Sequence, residues 1–168
     1  MANDEFDKVE LPALEHLQSL GWTFVQGVNL APDTSEERSS FKEVVLEQRL
    51  SDNIKRINPW ISDQNLHKVV SDLTKTPYAN LIEANQSIWN IINQCVSVMQ
   101  DLGKGNKGQT VHIIDFENPE NNEFLCTNQF KVAGVYQNII PDIVCFVNGL
   151  PLAVIECKSP YCTNPMEA

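Results

Sequence analysis

The chain has 168 residues, 42 % of them hydrophobic, and a formal net charge of −10, which is typical of one soluble globular domain. No apolar run approaches the roughly 20 residues of a membrane span, and the acidic start lacks the basic residues of a secretory signal. We therefore expect a cytoplasmic protein. Because phosphate contacts need basic patches, the acidic balance favours a fragment or subunit over an autonomous DNA-binding enzyme.

The first elements predicted along the chain are a helix, a short strand and a long helix. Leucines at helical spacing predict a helix over 5–20, which ends at Gly21. Residues 22–25 then read as a strand. Thr34 and Glu37 resemble a capping box that opens a long helix ending at Asn58-Pro59.

Two further helices are predicted before the chain changes character. Ser62 is a candidate N-cap for a helix that must end before Pro77, and Asn80 is a candidate N-cap for a helix that extends to Met99. The run from Gly103 to Gly108 then reads as a flexible turn. It follows a helix and lacks the GK[ST] ending of a phosphate loop.

From Gln109 on, the pattern is that of strands. The predicted strands are 111–116, 124–136 and the two that flank Asn148-Gly149, the strongest short hairpin signal. We therefore predict one α/β domain over 1–168, with a helix-rich part over 1–103 and a strand-rich part over 109–160.

The cysteines and histidines do not form a metal-binding pattern. There are five cysteines, an odd number without a CxxC pair, and they read as small core residues instead of a disulfide framework or a zinc site. The three histidines are scattered. We therefore predict no zinc site at these eight residues, which are Cys95, Cys126, Cys145, Cys157, Cys162, His16, His67 and His112.

The candidate site lies at the two ends of the last hairpin. Asp142 follows Pro141, and Glu156 and Lys158 follow the apolar stretch that contains the turn. Two carboxylates and a lysine are the groups that a metal-dependent phosphodiester hydrolase needs. We expect Asp142, Glu156 and the carbonyl of Cys157 to bind Mg²⁺, or Mn²⁺. Lys158 would orient the attacking water and stabilise charge on the phosphate.

The register of the hairpin provides a structural test. With a regular two-residue turn, Asp142 would face Ile155, and Glu156 would point to the other side of the sheet. The metal site therefore predicts a three-residue turn or a compensating β-bulge. The alternative is that Glu156 and Lys158 form a surface pair at a strand end, and that Asp142 simply begins a strand. The domain would then be a soluble α/β interaction domain with an incidental acidic hairpin.

The amino-acid sequence around these candidate residues provides evidence beyond their spacing. The sequence NQFKV at 128–132, followed by IPDIVCFVNGLPLAVIECKSP at 140–160, closely resembles the N-terminal nuclease domain of the restriction (R) subunit of type I restriction-modification enzymes. The segments VLEQRL at 45–50 and INP at 57–59 also resemble that family. The resemblance implies a restriction-endonuclease-like PD-(D/E)xK fold, a mixed β-sheet flanked by helices. Asp142 and Glu156 would be the metal ligands and Lys158 the catalytic lysine.

The resemblance further implies an endonuclease domain that cleaves double-stranded DNA within a type I restriction complex. Its partners would be DNA, the modification and specificity subunits, and the helicase-like motor of the full subunit, which would use ATP outside this chain. Such nucleases often add a glutamate from an early helix; Glu47 is the candidate and Glu15 the second choice. A catalytically silent docking module of the same fold is the alternative.

Overall fold

The computed structural model describes residues 5–75, 80–134 and 136–159. A π-helical turn at Phe6–Glu10 leads into the first of four α-helices, which are α1 (Leu11–Ser19), α2 (Glu47–Ile57), α3 (Asp63–Thr74) and α4 (Leu81–Gln94). Short 3₁₀ turns lie at Gly27–Leu30 and Pro119–Asn121. The strands are β1 (Thr23–Gln26), β2 (Val96–Asp101), β3 (Asn106–Val111), β4 (Phe124–Asn128), β5 (Val132–Ala133), β6 (Asn138–Ile139), β7 (Ile143–Val147) and β8 (Leu150–Ile155). The chain thus has a mixed α/β fold.

The chain forms two compact units. The first combines residues up to Val44 with residues from Phe124 onward, and the second is the continuous stretch Val45–Glu123. This division cuts across the predicted helix-rich and strand-rich parts. The prediction that 1–168 acts as one endonuclease domain stays a prediction.

The first unit is built on a mixed sheet with the strand order β1-β4-β7-β8. β1 runs parallel to β4, with Thr23 beside Leu125, whereas β4, β7 and β8 are antiparallel neighbours. β7 is buried along its whole length because it lies inside the sheet and consists of apolar residues. β8 forms one edge of the sheet.

Helix α1 provides an apolar cover for one cluster on this sheet. Leu14 is 2 % exposed and belongs to a cluster with residues from four strands and the segment after β8. Burial of such apolar surface is the main stabilising term, at about 25 cal/mol per Å². The buried members are Leu14, Cys126, Ile143, Cys145 and Cys157, and the half-buried ones are Val9, Ala13, Leu17, Trp22, Phe24 and Ile155.

The segment between β1 and α2 differs from the prediction. The expected capping box does not begin a helix at Thr34, and α2 begins only at Glu47. The Thr34 hydroxyl donates to the carbonyls of Val28 and Ala31 instead of accepting an N–H bond. Farther along, the Phe41 carbonyl accepts the Ala133 N–H at 2.8 Å. Long-range backbone pairing therefore replaces the local helix that the sequence favours.

A buried arginine fixes the same segment. Arg38 is 3 % exposed and donates to the carbonyls of Glu43 at 3.2 Å and Lys131 at 2.9 Å. Its guanidinium lies 4.1 Å from the centroid of the Phe130 ring. Burial lowers the Arg38 pKa, and the nearby Glu43 charge opposes this effect. These contacts hold the loop to the strand region that follows β4.

The second unit contains α2, α3, α4 and the antiparallel hairpin β2–β3. The predicted N-caps are confirmed: the Ser62 hydroxyl accepts the Asn65 N–H at 3.3 Å, and the Asn80 amide oxygen accepts the Glu83 N–H at 2.9 Å. The predicted end at Asn58 is also confirmed. The buried Asn58 side chain accepts the N–H of His112 at 2.9 Å and donates to its carbonyl at 2.8 Å.

Two predictions in this unit are wrong. The helix expected to reach Met99 ends at Gln94, because Cys95 adopts a positive φ of 61° and β2 begins at Val96. A strand was expected over 111–116, but β3 ends at Val111, so only the first residue of that range belongs to it. The Gly103–Gly108 run contains a turn, as predicted, but that turn joins β2 to β3 and does not separate two parts of the chain. Pro77 lies outside the described residues.

Candidate functional site

The β7–β8 hairpin contains the bulge that the site hypothesis predicted. Asn148 and Gly149 both have positive φ, 52° and 84°, which is the geometry of a tight two-residue hairpin turn. Val147 pairs with Leu150 at the turn, yet Ile143 pairs with Ile155, because the register shifts by one residue between Phe146 and Cys145. That shift makes Leu152 the extra residue of β8.

The bulge changes which side chains face each other at the open end of the hairpin. Carrying the pairing of Ile143 and Ile155 one position further sets Asp142 across from Glu156. Without the bulge, Asp142 would face Ile155, and Glu156 would lie on the other side of the sheet. The register therefore agrees with the bulge that the site hypothesis predicted, and the shared site itself stays a prediction.

Asp142 is held by backbone groups on both sides. Its carboxylate Oδ2 accepts the Cys157 N–H at 2.7 Å, and its own carbonyl accepts the Gln129 N–H at 3.0 Å. The side chain is half-buried. Asp142 is thus fixed at the point where the segment after β4 meets the segment after β8.

The structure adds a carboxylate that sequence reasoning missed. Glu10, at the end of the π-helical turn before α1, is only 5 % exposed. Its Oε1 accepts a hydrogen bond from Asn128 Nδ2 at 3.2 Å. Burial is the main cause that raises the Glu10 pKa, with a smaller contribution from the charge of Asp142, while bonds from the Asn128 and Gln129 side chains lower it.

A signal for Glu10 was present in the sequence. Glu10 precedes Leu14 by one helical turn and Leu17 by two, so it lies on the apolar stripe that packs against the sheet. A glutamate on such a stripe departs from the usual polar face, and buried carboxylates are rare unless they are paired or bind a metal.

The pKa of the buried Cys157 thiol is raised by its surroundings. Burial is the main cause that raises the pKa of its thiol, and the charges of four carboxylates raise it further. In decreasing order of effect, they belong to Asp142, Glu10, Glu5 and Glu156. A neutral thiol is a poor ligand for a hard cation, for which carboxylate and carbonyl oxygens are the better candidates.

The remaining predicted residues lie after β8, on α1 or in the second unit. Glu156 is exposed and Lys158 half-buried, and both follow the last residue of β8. Glu47 begins α2 in the second unit, where its Oε2 lies 3.4 Å from Nζ of Lys75. Glu15 is exposed on α1. The roles proposed for these four residues stay predictions.

The donor set fits a hard divalent cation, which prefers oxygen ligands. Across residues 5–75, 80–134 and 136–159, however, no group of three or more His, Cys, Asp or Glu side chains is spaced closely enough to hold a metal as it stands. Asp142 Oδ2 is engaged by the Cys157 N–H. Metal binding at this corner would therefore require rearrangement of its carboxylate side chains.

Cys126 and Cys145 are buried in the core. Burial is the main cause that raises the pKa of Cys126 to about 11, and it also raises the pKa of Cys145. Cys95 is half-buried, with its Sγ 3.4 Å from Nδ1 of His112. Cys162 lies outside the described residues. Within the described part of the chain, no helix has the length and apolar character that crossing a membrane requires.

Comparison with known proteins identifies relatives over nearly the whole chain. Residues 3–168 match the family described as the type I restriction enzyme R protein N terminus. The type I restriction enzyme HindI endonuclease subunit of Haemophilus influenzae is 32 % identical over 154 residues, which cover 90 % of this chain and 15 % of that protein. A Methanocaldococcus jannaschii protein named for the MjaIXP endonuclease subunit of a type I restriction enzyme is 34 % identical over 155 residues, again 90 % of this chain and 15 % of the relative. The chain thus spans 15 % of the length of these relatives.

Proposed function

The chain belongs to the N-terminal family of type I restriction enzyme R proteins, and we propose that it is a metal-dependent endonuclease domain that cleaves double-stranded DNA. The observation that carries the proposal is the β-bulge of the β7–β8 hairpin, which sets the carboxylate-bearing residues Asp142 and Glu156 opposite each other at the open end of the hairpin. Clustered carboxylates of this kind are typical of sites that bind a divalent cation. The relatives are named as endonuclease subunits, which supports the same function.

We propose the PD-(D/E)xK nuclease fold for the first unit. Asp142 stands immediately before β7, and Glu156 immediately after its antiparallel neighbour β8. The bulge supports this assignment, because it aligns the two residues where a regular hairpin would separate them. The packing of α1 on the same sheet agrees with a sheet flanked by helices.

Asp142, Glu156 and the carbonyl oxygen of Cys157 would hold Mg²⁺, for which Mn²⁺ can substitute. The bound cation would stabilise the negative charge that develops on the attacked phosphate. Asp142 is suited to this role because the Cys157 N–H and the Gln129 N–H fix its position from two sides.

Lys158 would orient the attacking water and place its ammonium beside the phosphate. For the glutamate from an early helix, Glu10 is a better candidate than Glu47 or Glu15. It is buried, its pKa is raised in part by the charge of Asp142, and it lies in the same unit. Glu15, in contrast, is exposed.

We propose that the DNA is held mainly by other parts of the complex. The net charge of −10 opposes strong binding of a phosphate backbone by this chain itself. The partners would be the ATP-driven motor of a longer R protein and the modification and specificity subunits. The coverage of 15 % of each relative leaves ample length for such a motor.

A second candidate is a docking module that keeps the fold without cleaving DNA. The observation in its favour is that, among the residues the structure describes, no three metal-binding side chains are close enough to bind a cation as they stand. Metal binding separates the two functions, because a silent module has no need of it.

The test is calorimetric titration of Mg²⁺ and Mn²⁺ into the chain, with and without a short DNA duplex. We expect one saturable site that is lost in Asp142→Asn and in Glu156→Gln. The exposed Glu120 offers a matched control, since Glu120→Gln removes one negative charge from the other unit. Absence of binding under both conditions, or binding that survives both substitutions, would contradict the nuclease proposal and favour the docking module.

A further inference from the structure

Two neutral side chains converge on the buried carboxylate of Glu10. Asn128, the last residue of β4, donates from Nδ2 to Glu10 Oε1 at 3.2 Å, and the Gln129 side chain also bonds to Glu10. We propose that Asn128 and Gln129 are positioning residues that hold Glu10 toward the metal site. This inference rests on the proposed function and extends it to two further residues.

The chemical type of the donors supports this role. Amide groups stabilise a buried carboxylate by hydrogen bonding without cancelling its charge, whereas a lysine or arginine would compete with a cation for the same oxygen. Hydrogen bonds that orient the ligands of a metal typically change its affinity by 10- to 100-fold when they are removed. Asn128 and Gln129 are donors of this neutral kind, beside a carboxylate that is 5 % exposed.

The backbone at this corner is also specialised. Gln129 adopts a left-handed conformation with a φ of 50°, which costs a residue with a side chain about 1 kcal/mol or more. In that conformation its N–H reaches the carbonyl of Asp142 at 3.0 Å. One residue thus bonds to Glu10 through its side chain and to Asp142 through its backbone, which couples the two carboxylates.

Gly27 allows the chain to approach this corner closely. A Cβ atom on Gly27 would lie 2.1 Å from the carbonyl oxygen of Asn128 and 2.8 Å from that of Gln129. The absence of a side chain at Gly27 therefore lets the segment after β1 press against the backbone of both positioning residues. Gly27 thus packs against the backbone of Asn128 and Gln129, while the side chains of these two residues bond to Glu10.

Gln129→Gly is the most informative variant. Glycine accepts a left-handed φ without strain and keeps the N–H, so relief of backbone strain should offset the loss of the side-chain bond to Glu10. We expect its Mn²⁺ affinity, measured by calorimetry with and without a DNA duplex, to fall roughly tenfold while the melting temperature stays close to that of the parent. A purely structural role would not combine these two results. Asn128→Leu, which removes the other donor and keeps the branched shape of the side chain, should also weaken binding.

Double variants that also carry Glu10→Gln test whether the other two substitutions change metal affinity through the Glu10 carboxylate. If Asn128 and Gln129 act through the Glu10 carboxylate, Gln129→Gly and Asn128→Leu should cause no further loss of affinity in that background. Gln137→Gly, which removes an exposed glutamine side chain from the same unit, is the matched control and should leave the affinity unchanged.

The outcomes distinguish this inference from the proposed function. Parent-like affinity in Gln129→Gly and Asn128→Leu, or an equal loss with and without Glu10, would overturn the positioning role while leaving the nuclease proposal intact. A parent chain that binds no Mn²⁺ under either condition would overturn the proposed function, and the positioning role with it.

Discussion

Asp142 and Cys157 are joined by a 2.7 Å hydrogen bond between the Asp142 Oδ2 and the Cys157 N–H. The bond ties the residue before β7 to the segment after β8, beyond the last paired residues of the hairpin. It therefore closes the open end of the hairpin with one of the carboxylates assigned to the metal. Substitutions of Asp142 that keep or remove the acceptor oxygen can therefore separate its contribution to stability from its proposed role in metal binding.

Asp142→Asn should lose metal binding and keep the fold. The amide retains an oxygen that can accept the Cys157 N–H, but it lacks the charge that a cation needs. Asp142→Leu removes the acceptor as well, and leaving a buried N–H unpaired costs about 1–3 kcal/mol. Urea unfolding should therefore show a lower free energy of unfolding for Asp142→Leu than for Asp142→Asn. Equal values would contradict the structural role of the 2.7 Å bond.

Glu10→Gln should stabilise the metal-free protein at neutral pH. The folded-state pKa of Glu10 is raised above its unfolded value of about 4.5, mainly by burial. The contribution of Glu10 to stability is then fully present below that unfolded pKa and is lost as the pH rises through the folded pKa. The difference in free energy of unfolding between Glu10→Gln and the parent should grow from pH 4 to pH 7. A pH-independent difference would contradict this prediction.

Gly27→Ala should destabilise the first unit. The new methyl group would lie 2.1 Å from the Asn128 carbonyl oxygen, a backbone atom that cannot move without shifting β4. Overpacking of this kind costs about 1–3 kcal/mol. Gly108→Ala is the matched control, because its Cβ would meet only the Ser97 hydroxyl, at 3.2 Å. Chemical denaturation of both variants provides the measurement, and an equal loss in the two would argue against the close approach at Gly27.

Cys126 should contribute a loss of stability at alkaline pH. Its pKa is raised to about 11, mainly by burial, against a usual value of 9.0. The stabilising contribution of the neutral thiol is complete below pH 9 and falls as the pH rises toward 11. Comparing the free energy of unfolding of the parent and Cys126→Ala at pH 8.5 and about pH 10.5 isolates this effect. The parent should lose more stability than the variant, and parallel losses would refute the assignment.

Arg38→Lys should be costly although it conserves the charge. Arg38 donates to the carbonyls of Glu43 and Lys131 and stacks on Phe130, and an ammonium cannot reproduce that planar arrangement. We expect a loss of about 2 kcal/mol in the free energy of unfolding. Lys42→Arg, at an exposed position in the same segment, is the control. Stability of Arg38→Lys equal to that of the parent would contradict the role of the guanidinium.

Local signals in the sequence predicted local features well. The caps at Ser62 and Asn80 and the Asn148-Gly149 turn each depend on a few neighbouring residues, and each is present. The bulge was predicted for a different reason: it was the condition under which Asp142 and Glu156 could share a site. The hairpin meets that condition through Leu152, with the two-residue turn preserved.

The errors arise where distant contacts outweigh local preference. The residues after Thr34 form no helix, since the Arg38 side chain and the Phe41 carbonyl bond to the segment that follows β4. Cys95 ends α4 through a positive φ that a cysteine does not signal. Glu10 was overlooked because its partner Asn128 is far away in sequence. The position of Glu47 in the second unit likewise follows from tertiary structure.

The discontinuity of the first unit has a consequence for biosynthesis. β1 pairs with β4, so that Thr23 finds its neighbour Leu125 only after the whole of Val45–Glu123 has left the ribosome. The continuous second unit can therefore fold before its neighbour is complete, whereas β1 stays an open strand edge until β4 is made. Nascent chains that stall before Phe124 would carry this unpaired edge, which makes them the species most exposed to aggregation and most dependent on chaperones.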